Sequence, residues 1–236
     1  MGLLNAGMKM KVVQRPLDIM YLVDTSGSMY GDKIETVNAA MRELEVLLKN
    51  EARKNPSAQV NVRIMTFGDG KAKWHIPKTE IENYTYQSIN DVNGSTPLGA
   101  ALNVLCMTLD NDKMPTRGLK PIIVLLSDGM PNDTWKPNLE KLLNMPWGKK
   151  ALKVAIAIGR DVDKKMLAEF TTDSNLVLEA NNLADLTEFI KWTSTLVTYN
   201  SQPRNEEEGV DVRKIKIPTA RPAPGTMVKG ENDSWR

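Results

Sequence analysis

Three short stretches of this sequence gather side chains whose ligating atoms are all oxygen: Asp24-Thr25-Ser26-Gly27-Ser28, Gly94-Ser95-Thr96-Pro97-Leu98 and Ser127-Asp128-Gly129. Carboxylates and hydroxyls are hard donors, which suit Mg2+ or Mn2+ rather than Zn2+ or Cu2+. Softer ligands are scarce. His75 is the only histidine and Cys106 the only cysteine, and they are too isolated to make a soft-metal site. Cys106 lies among apolar residues and reads as a buried, inert thiol. Each oxygen-rich stretch also has an ordinary structural explanation. Ser26, Ser28 and Thr96 are of the types that cap helices, Pro97 suits the first position of a helix that Thr96 would start, and Asp128-Gly129 suits a turn.

The elements around these residues decide whether they can meet. Apolar runs of strand length occur at residues 19–23, 60–67, 122–126, 154–158 and 176–178, several of them continuous rather than alternating, as in strands covered on both faces. Between them, apolar residues recur at helical spacing: Ile34, Val37, Met41, Leu44 and Leu48, then residues 98–108, 139–145, 166–170 and 183–198. Strands alternating with helices predict an α/β fold with a doubly wound, mostly parallel central sheet and helices on both faces. Residues 74–76 suit a short antiparallel edge strand. In an open sheet of this kind ligands sit beyond the carboxyl ends of the strands. The first and third oxygen-rich stretches directly follow predicted strands and the second enters a predicted helix, so all three should share one rim.

At this point the sequence resembles a known family. Asp24, Ser26 and Ser28 in a DxSxS pattern, a distant Thr96 before Pro97 and Leu98, and Asp128 before Gly129 are similar to the metal-ion-dependent adhesion site (MIDAS) of von Willebrand factor A (vWA) domains. The resemblance extends through Gly159-Arg160-Asp161-Val162-Asp163 and covers about residues 16–200. It implies that Ser26 and Ser28 coordinate one divalent cation through their hydroxyls, and that Thr96 binds it directly or through water. Asp24 and Asp128 would hold the coordinating waters and the serines. Mg2+ is the expected cation, with Mn2+ and Ca2+ as alternatives, and one coordination position is left for a partner's Asp or Glu. Met29, Tyr30 and Trp135 are the expected partner-binding rim. The chain also resembles stand-alone bacterial proteins of the tellurite-resistance (TerY-like) type. That implies a cytoplasmic scaffold or regulator working with a PP2C-type phosphatase and a Ser/Thr-type kinase in metal-stress resistance. The alternatives are a chaperone-like partner subunit of an AAA+ ATPase, or a metal-dependent hydrolase.

Catalysis is not expected. A haloacid-dehalogenase-like phosphatase needs an Asp where Ser26 stands. A dinucleotide fold needs a glycine-rich turn where Asp24 would repel phosphate, and a phosphate-binding loop needs a Gly-Lys-Ser/Thr that is absent. A nucleophilic serine needs a base within reach. Lys and Arg exceed Asp and Glu by 31 to 29, a net charge of +2, which offers neither nucleic acid nor an anionic membrane a strong field. With 236 residues, 41% hydrophobic and 25% charged, the chain can bury a full core without staples. The expected organisation is an N-terminal extension over residues 1–15, one domain over 16–200 and a tail over 201–236, disordered or docked. No transmembrane run is evident. The tail's acidic run Glu206-Glu207-Glu208 is a candidate carboxylate source for a metal site, and residues 210–217 are a candidate for adding to a sheet edge. A monomer is expected for the chain alone.

Overall fold

The computed structural model of the protein describes residues 13–110, 114–159, 162–201 and 216–218. Six strands, β1 (Arg15–Asp24), β2 (Ala58–Gly68), β3 (Lys71–Glu80), β4 (Ile122–Ser127), β5 (Leu152–Ile158) and β6 (Val177–Ala180), form one sheet in the order β3-β2-β1-β4-β5-β6. All neighbours are parallel except the β2–β3 pair at one edge. Seven helices cover it: α1 (Asp32–Lys54), α2 (Leu98–Thr108), α3 (Lys136–Asn144), α4 (Pro146–Lys150), α5 (Lys164–Thr171), α6 (Leu183–Trp192) and α7 (Thr195–Ser201). This is the predicted doubly wound architecture.

The continuous apolar runs are explained by burial on both faces. Along β1, Leu17, Ile19, Tyr21 and Val23 join a core beneath α1, α6 and α7. Met20 and Leu22 point the other way, into a core with α2, α3 and α5. Side chains alternate across a strand, so a central strand needs apolar residues at every position.

Three elements differ from the sequence reading. The edge strand β3 is ten residues long rather than three. Only one of its residues is buried, so its sequence carries no apolar run to mark its length. The helix expected at 139–145 is α3, and a second helix not expected from the sequence, α4, follows it after a break at Met145, which precedes Pro146 and takes extended dihedrals, φ −70° and ψ 143°. Proline clashes with a helical conformation of the residue before it. The single final helix breaks at Thr193 and Ser194, whose hydroxyls donate to the carbonyls of Ile190 and Lys191 at 2.6 and 2.8 Å. Such local bonds compete with a continuing helix. The Thr193 hydroxyl also meets the Tyr21 hydroxyl at 2.8 Å, tying the break to β1.

Several sequence expectations lie outside the described residues. These are residues 1–12 of the N-terminal extension, Arg160 and Asp161 of the late turn, and Glu206, Glu207 and Glu208 of the tail. Of the segment 210–217 expected at a sheet edge, Lys216 and Ile217 are described. They lie against a helix, with the Trp192 indole donating to the Lys216 carbonyl at 2.9 Å and Ile217 packed on the core.

Candidate metal centre

The site sits where the chain's winding reverses. β1 pairs on one side with β2 and on the other with β4, in a register that sets Val23 beside Leu126. One step further, Asp24 and Ser127 end their strands side by side, and the Ser127 hydroxyl donates to Asp24 Oδ2 at 2.6 Å. The crevice beyond such a switch point is where open α/β sheets place ligands.

After β1, Asp24 Oδ1 accepts the Ser26 backbone N–H at 2.8 Å, which turns the chain into a short 3-10 helix over Gly27–Met29. The turn brings Ser26 Oγ and Ser28 Oγ to 3.1 Å from each other. Ser28 Oγ donates across to Asp128 Oδ1 at 2.7 Å, joining residues 100 positions apart. The sequence-predicted Asp24, Ser26, Ser28 and Asp128 are therefore one hydrogen-bonded cluster.

Thr96 arrives from the opposite direction, on the connection from β3 to α2. Asn38 of α1 anchors that connection: its Oδ1 accepts from the Tyr86 hydroxyl and the Ile89 N–H, and its Nδ2 donates to the Ile89 carbonyl. Further on, Asn93 N–H donates to the Thr25 carbonyl and Gly27 N–H to the Gly94 carbonyl, at 2.9 and 3.0 Å. Gly94 has φ +69°, and a Cβ there would lie 2.7 Å from the Asp69 Cα, so only glycine fits this crossing. Thr96 is thereby set over Gly129. A Cβ added to Gly129 would stand 3.3 Å from Thr96 Oγ1 and 3.9 Å from Ser28 Oγ. The absent side chain of Gly129 leaves a cradle between the two hydroxyls.

The ordinary capping roles are not the ones these residues take. No side-chain cap bond is made by Ser26 at the 3-10 helix, at the start of α1 or at Pro97 before α2. The first free N–H groups of α2, those of Gly99 and Ala100, donate instead to the two carboxylate oxygens of Asp133 at 2.8 and 3.0 Å. Thr96 thus does not cap α2.

Electrostatically the site is a buried acidic pocket with one internal cation. Asp24 is fully buried and Asp128 nearly so. Burial pushes the Asp24 carboxyl up to about 6, against hydrogen bonds from Ser127 and Ser26 that favour its ionised form. Lys33, in the first turn of α1, places its ammonium 2.6 Å from Asp128 Oδ2. Ser127 stands in the third oxygen-rich stretch but was given no role, and Lys33 and Asp133 were not singled out from the sequence. Their roles depend on strand register and on contacts up to about a hundred residues away, and no local pattern marks those roles.

The donor set fits a small hard cation. Adjacent oxygens on an octahedral Mg2+ at about 2.1 Å lie about 3 Å apart, close to the 3.1 Å between Ser26 Oγ and Ser28 Oγ. No group of three or more His, Cys, Asp or Glu occurs among the described residues, so hydroxyls would carry much of the coordination.

The expected rim needs one correction. Met29 has no exposure and belongs to the core under α1, because the 3-10 turn points it inward. Tyr30 is 79% exposed. Trp135 is half-buried against the α2–α3 side of the core, with the Lys136 ammonium 5.6 Å from its ring centroid. Met130, exposed beside Gly129, was missed. His75 donates to or accepts from no site residue; its Nε2 contacts the Gln87 carbonyl at 2.8 Å. Cys106 is buried, and burial raises its thiol.

Comparison with known proteins bears on the fold. Residues 19–130 match the family model of the von Willebrand factor type A domain. The sheet and its helices have the vWA-like α/β fold. The same fold occurs in the pilus adhesin SpaC from Lactobacillus rhamnosus GG, with a TM-score of 0.64 and 16% identity over 78% of this chain and 30% of the adhesin. The chain thus spans less than a third of that adhesin's length. Proximal thread matrix protein 1 from the mussel byssus, solved with a zinc-occupied MIDAS motif, aligns with a TM-score of 0.56 and 18% identity over 79% of this chain and 47% of that one. The manganese-loaded TRAP protein of Plasmodium vivax gives 0.53 and 19% over 72% and 70%. No curated protein sequence matches the chain. No helix among the described residues is long and apolar enough to cross a membrane.

Proposed function

We propose that this chain carries a vWA domain serving as a metal-dependent protein–protein interaction module whose partner presents an Asp or Glu to the rim between β1 and β4. The observation that carries the reading is the continuous chain from Ser26 Oγ to Ser28 Oγ to Asp128 Oδ1, at 3.1 and 2.7 Å, beside the Gly129 cradle under Thr96. Ser26, Ser28 and Thr96 hold the cation, Mg2+ by donor hardness, with Mn2+ or Ca2+ as the alternatives. Asp24 fixes the Ser26 turn, and Asp128 orients the Ser28 hydroxyl so that its lone pairs face the crevice. When bound, a divalent cation supplies an unneutralised positive charge and an open position to a partner carboxylate. The exposed Tyr30 and Met130, with the edge of Trp135, supply apolar contact around that carboxylate. The chemistry is binding without catalysis.

The finer placement follows the TerY-like resemblance of the sequence. On that reading the chain is a cytoplasmic bacterial scaffold or regulator in a phospho-signalling complex with a PP2C-type phosphatase and a Ser/Thr-type kinase, linked to tellurite or metal-stress resistance. The chain would be a monomer when alone.

The test is capture of partners from native lysate on the full chain in three arms: with Mg2+, with EDTA, and as Asp24→Ala with Mg2+. A partner retained in the first arm alone is the expected outcome, with circular dichroism confirming that the variant is folded. The same partner retained in all three arms would show that the metal rim is not the binding surface.

A further inference from the structure

On the flank of the domain, α1 and the α6–α7 pair enclose an open apolar groove of about 860 Å³. Its walls include Thr36, Ala39 and Leu47 of α1 and Leu183, Thr187 and Trp192 of α6. Residues 216–218 reach into this region. The Trp192 indole N–H donates to the Lys216 carbonyl at 2.9 Å, Ile217 packs against the α1–α6–α7 core, and Pro218 lines the groove. The contact reads a backbone carbonyl with an indole and an aliphatic side chain with a hydrophobic wall. That combination suits an extended segment, since Pro218 cannot donate a backbone bond and holds Ile217 away from helix. Glu51, Glu188 and Lys191 also line the groove.

We infer that this groove is a docking site for an extended aliphatic–proline peptide, and that Lys216-Ile217-Pro218 of the same chain is its intramolecular occupant. Of these residues Pro218 lines the groove, and Lys216 is held by Trp192. They follow α7 by the 14 residues 202–215, which fully extended would reach about 46 Å at ~3.3 Å per residue. A peptide of the same pattern from another protein would have to displace them, so the occupant sets a threshold for binding on this flank.

The experiment uses the full chain and the Trp192 indole N–H signal in nitrogen-15 NMR, assigned by its loss in Trp192→Phe. In the unmodified chain that proton is bonded and exchanges slowly with solvent. In Ile217→Asp, which removes the contact of Ile217 with the core and whose fold is checked by circular dichroism, exchange should be faster by about ten-fold, the effect of losing one hydrogen bond of ordinary strength. A synthetic peptide of residues 212–220 added to the Ile217→Asp chain should restore protection. Equal exchange in the two chains, or no effect of the peptide, would overturn the docking site. Protection that rises with protein concentration would overturn the intramolecular occupant, because it would place a second copy's tail in the groove.

Discussion

Lys33 illustrates how much of this site is decided by single side chains. Its ammonium lies 2.6 Å from Asp128 Oδ2 and its side chain is 17% exposed, so it sits in a partly desolvated position where a fixed charge is felt strongly. A cation arriving between Ser26, Ser28 and Thr96 meets that positive charge behind Asp128. Lys33→Met should therefore tighten Mn2+ binding by about ten-fold, equivalent to ~1.4 kcal/mol, as read by isothermal titration at fixed ionic strength. Unchanged or weaker binding would show that Lys33 serves only to orient Asp128. The five oxygen-bearing positions Asp24, Ser26, Ser28, Thr96 and Asp128 were legible because each follows a strand or precedes a helix in a distinctive local pattern. The role of Ser127 was not, although the residue stands in the same stretch as Asp128. Its hydroxyl matters only because parallel pairing of β1 with β4 puts it level with Asp24. Met29 was expected at the rim because it follows the DxSxS stretch, and position in the chain does not tell which way the 3-10 turn points it.

At the scale of elements, α2 depends on a residue outside it. Asp133, on the connection from β4 to α3, accepts from Gly99 and Ala100, and Asn138 of α3 donates to the Gly99 carbonyl at 2.8 Å. A carboxylate at a helix N-terminus satisfies otherwise orphaned donors and complements the helix dipole. On the same connection the Asn132 N–H donates to the Thr96 carbonyl at 3.2 Å, so it fixes Thr96 and α2 together. Asp133→Ala should lower unfolding free energy by about 1 to 2 kcal/mol, measured by urea titration with circular dichroism. Asp133→Asn, which keeps one acceptor oxygen, should recover part of the loss. A cap contributed from so far along the chain has no sequence signature. The apolar strands had one, because burial on both faces demands an unbroken apolar run. β3 did not, since Lys73 and His75 stand between its inward-facing Ala72, Trp74 and Ile76, and Pro77 follows them.

The whole domain carries a further dependence, on alkaline pH, through Lys153 at the start of β5. Its residue is buried, its ammonium donates to the carbonyls of Gly148 and Ala151 at 2.9 and 3.2 Å, and burial lowers it to about 8. The sign follows from proton linkage. Between about 8 and the ordinary lysine value of 10.5 the unfolded chain holds this proton more tightly than the folded one. The cost of burying the charge is thus present in full below about 8 and relieved as pH rises towards 10.5. From pH 7.5 to 9.5, the chain should gain about 2 kcal/mol relative to Lys153→Met, read as the difference between their urea midpoints at each pH. Parallel shifts of the two proteins would mean that Lys153 is not the group responsible. Strand order has another consequence, one of timing. Ser28 and Asp128 are 100 positions apart and meet only once β4 has paired with β1. During synthesis at about 5 to 20 residues per second, the DxSxS turn leaves the ribosome about 5 to 20 s ahead of its partner. Until then it is a cluster of small polar residues with nothing to close it. The hydrogen-bonded cluster proposed to hold a cation is therefore completed late, and a chain that has it has already assembled the centre of its sheet.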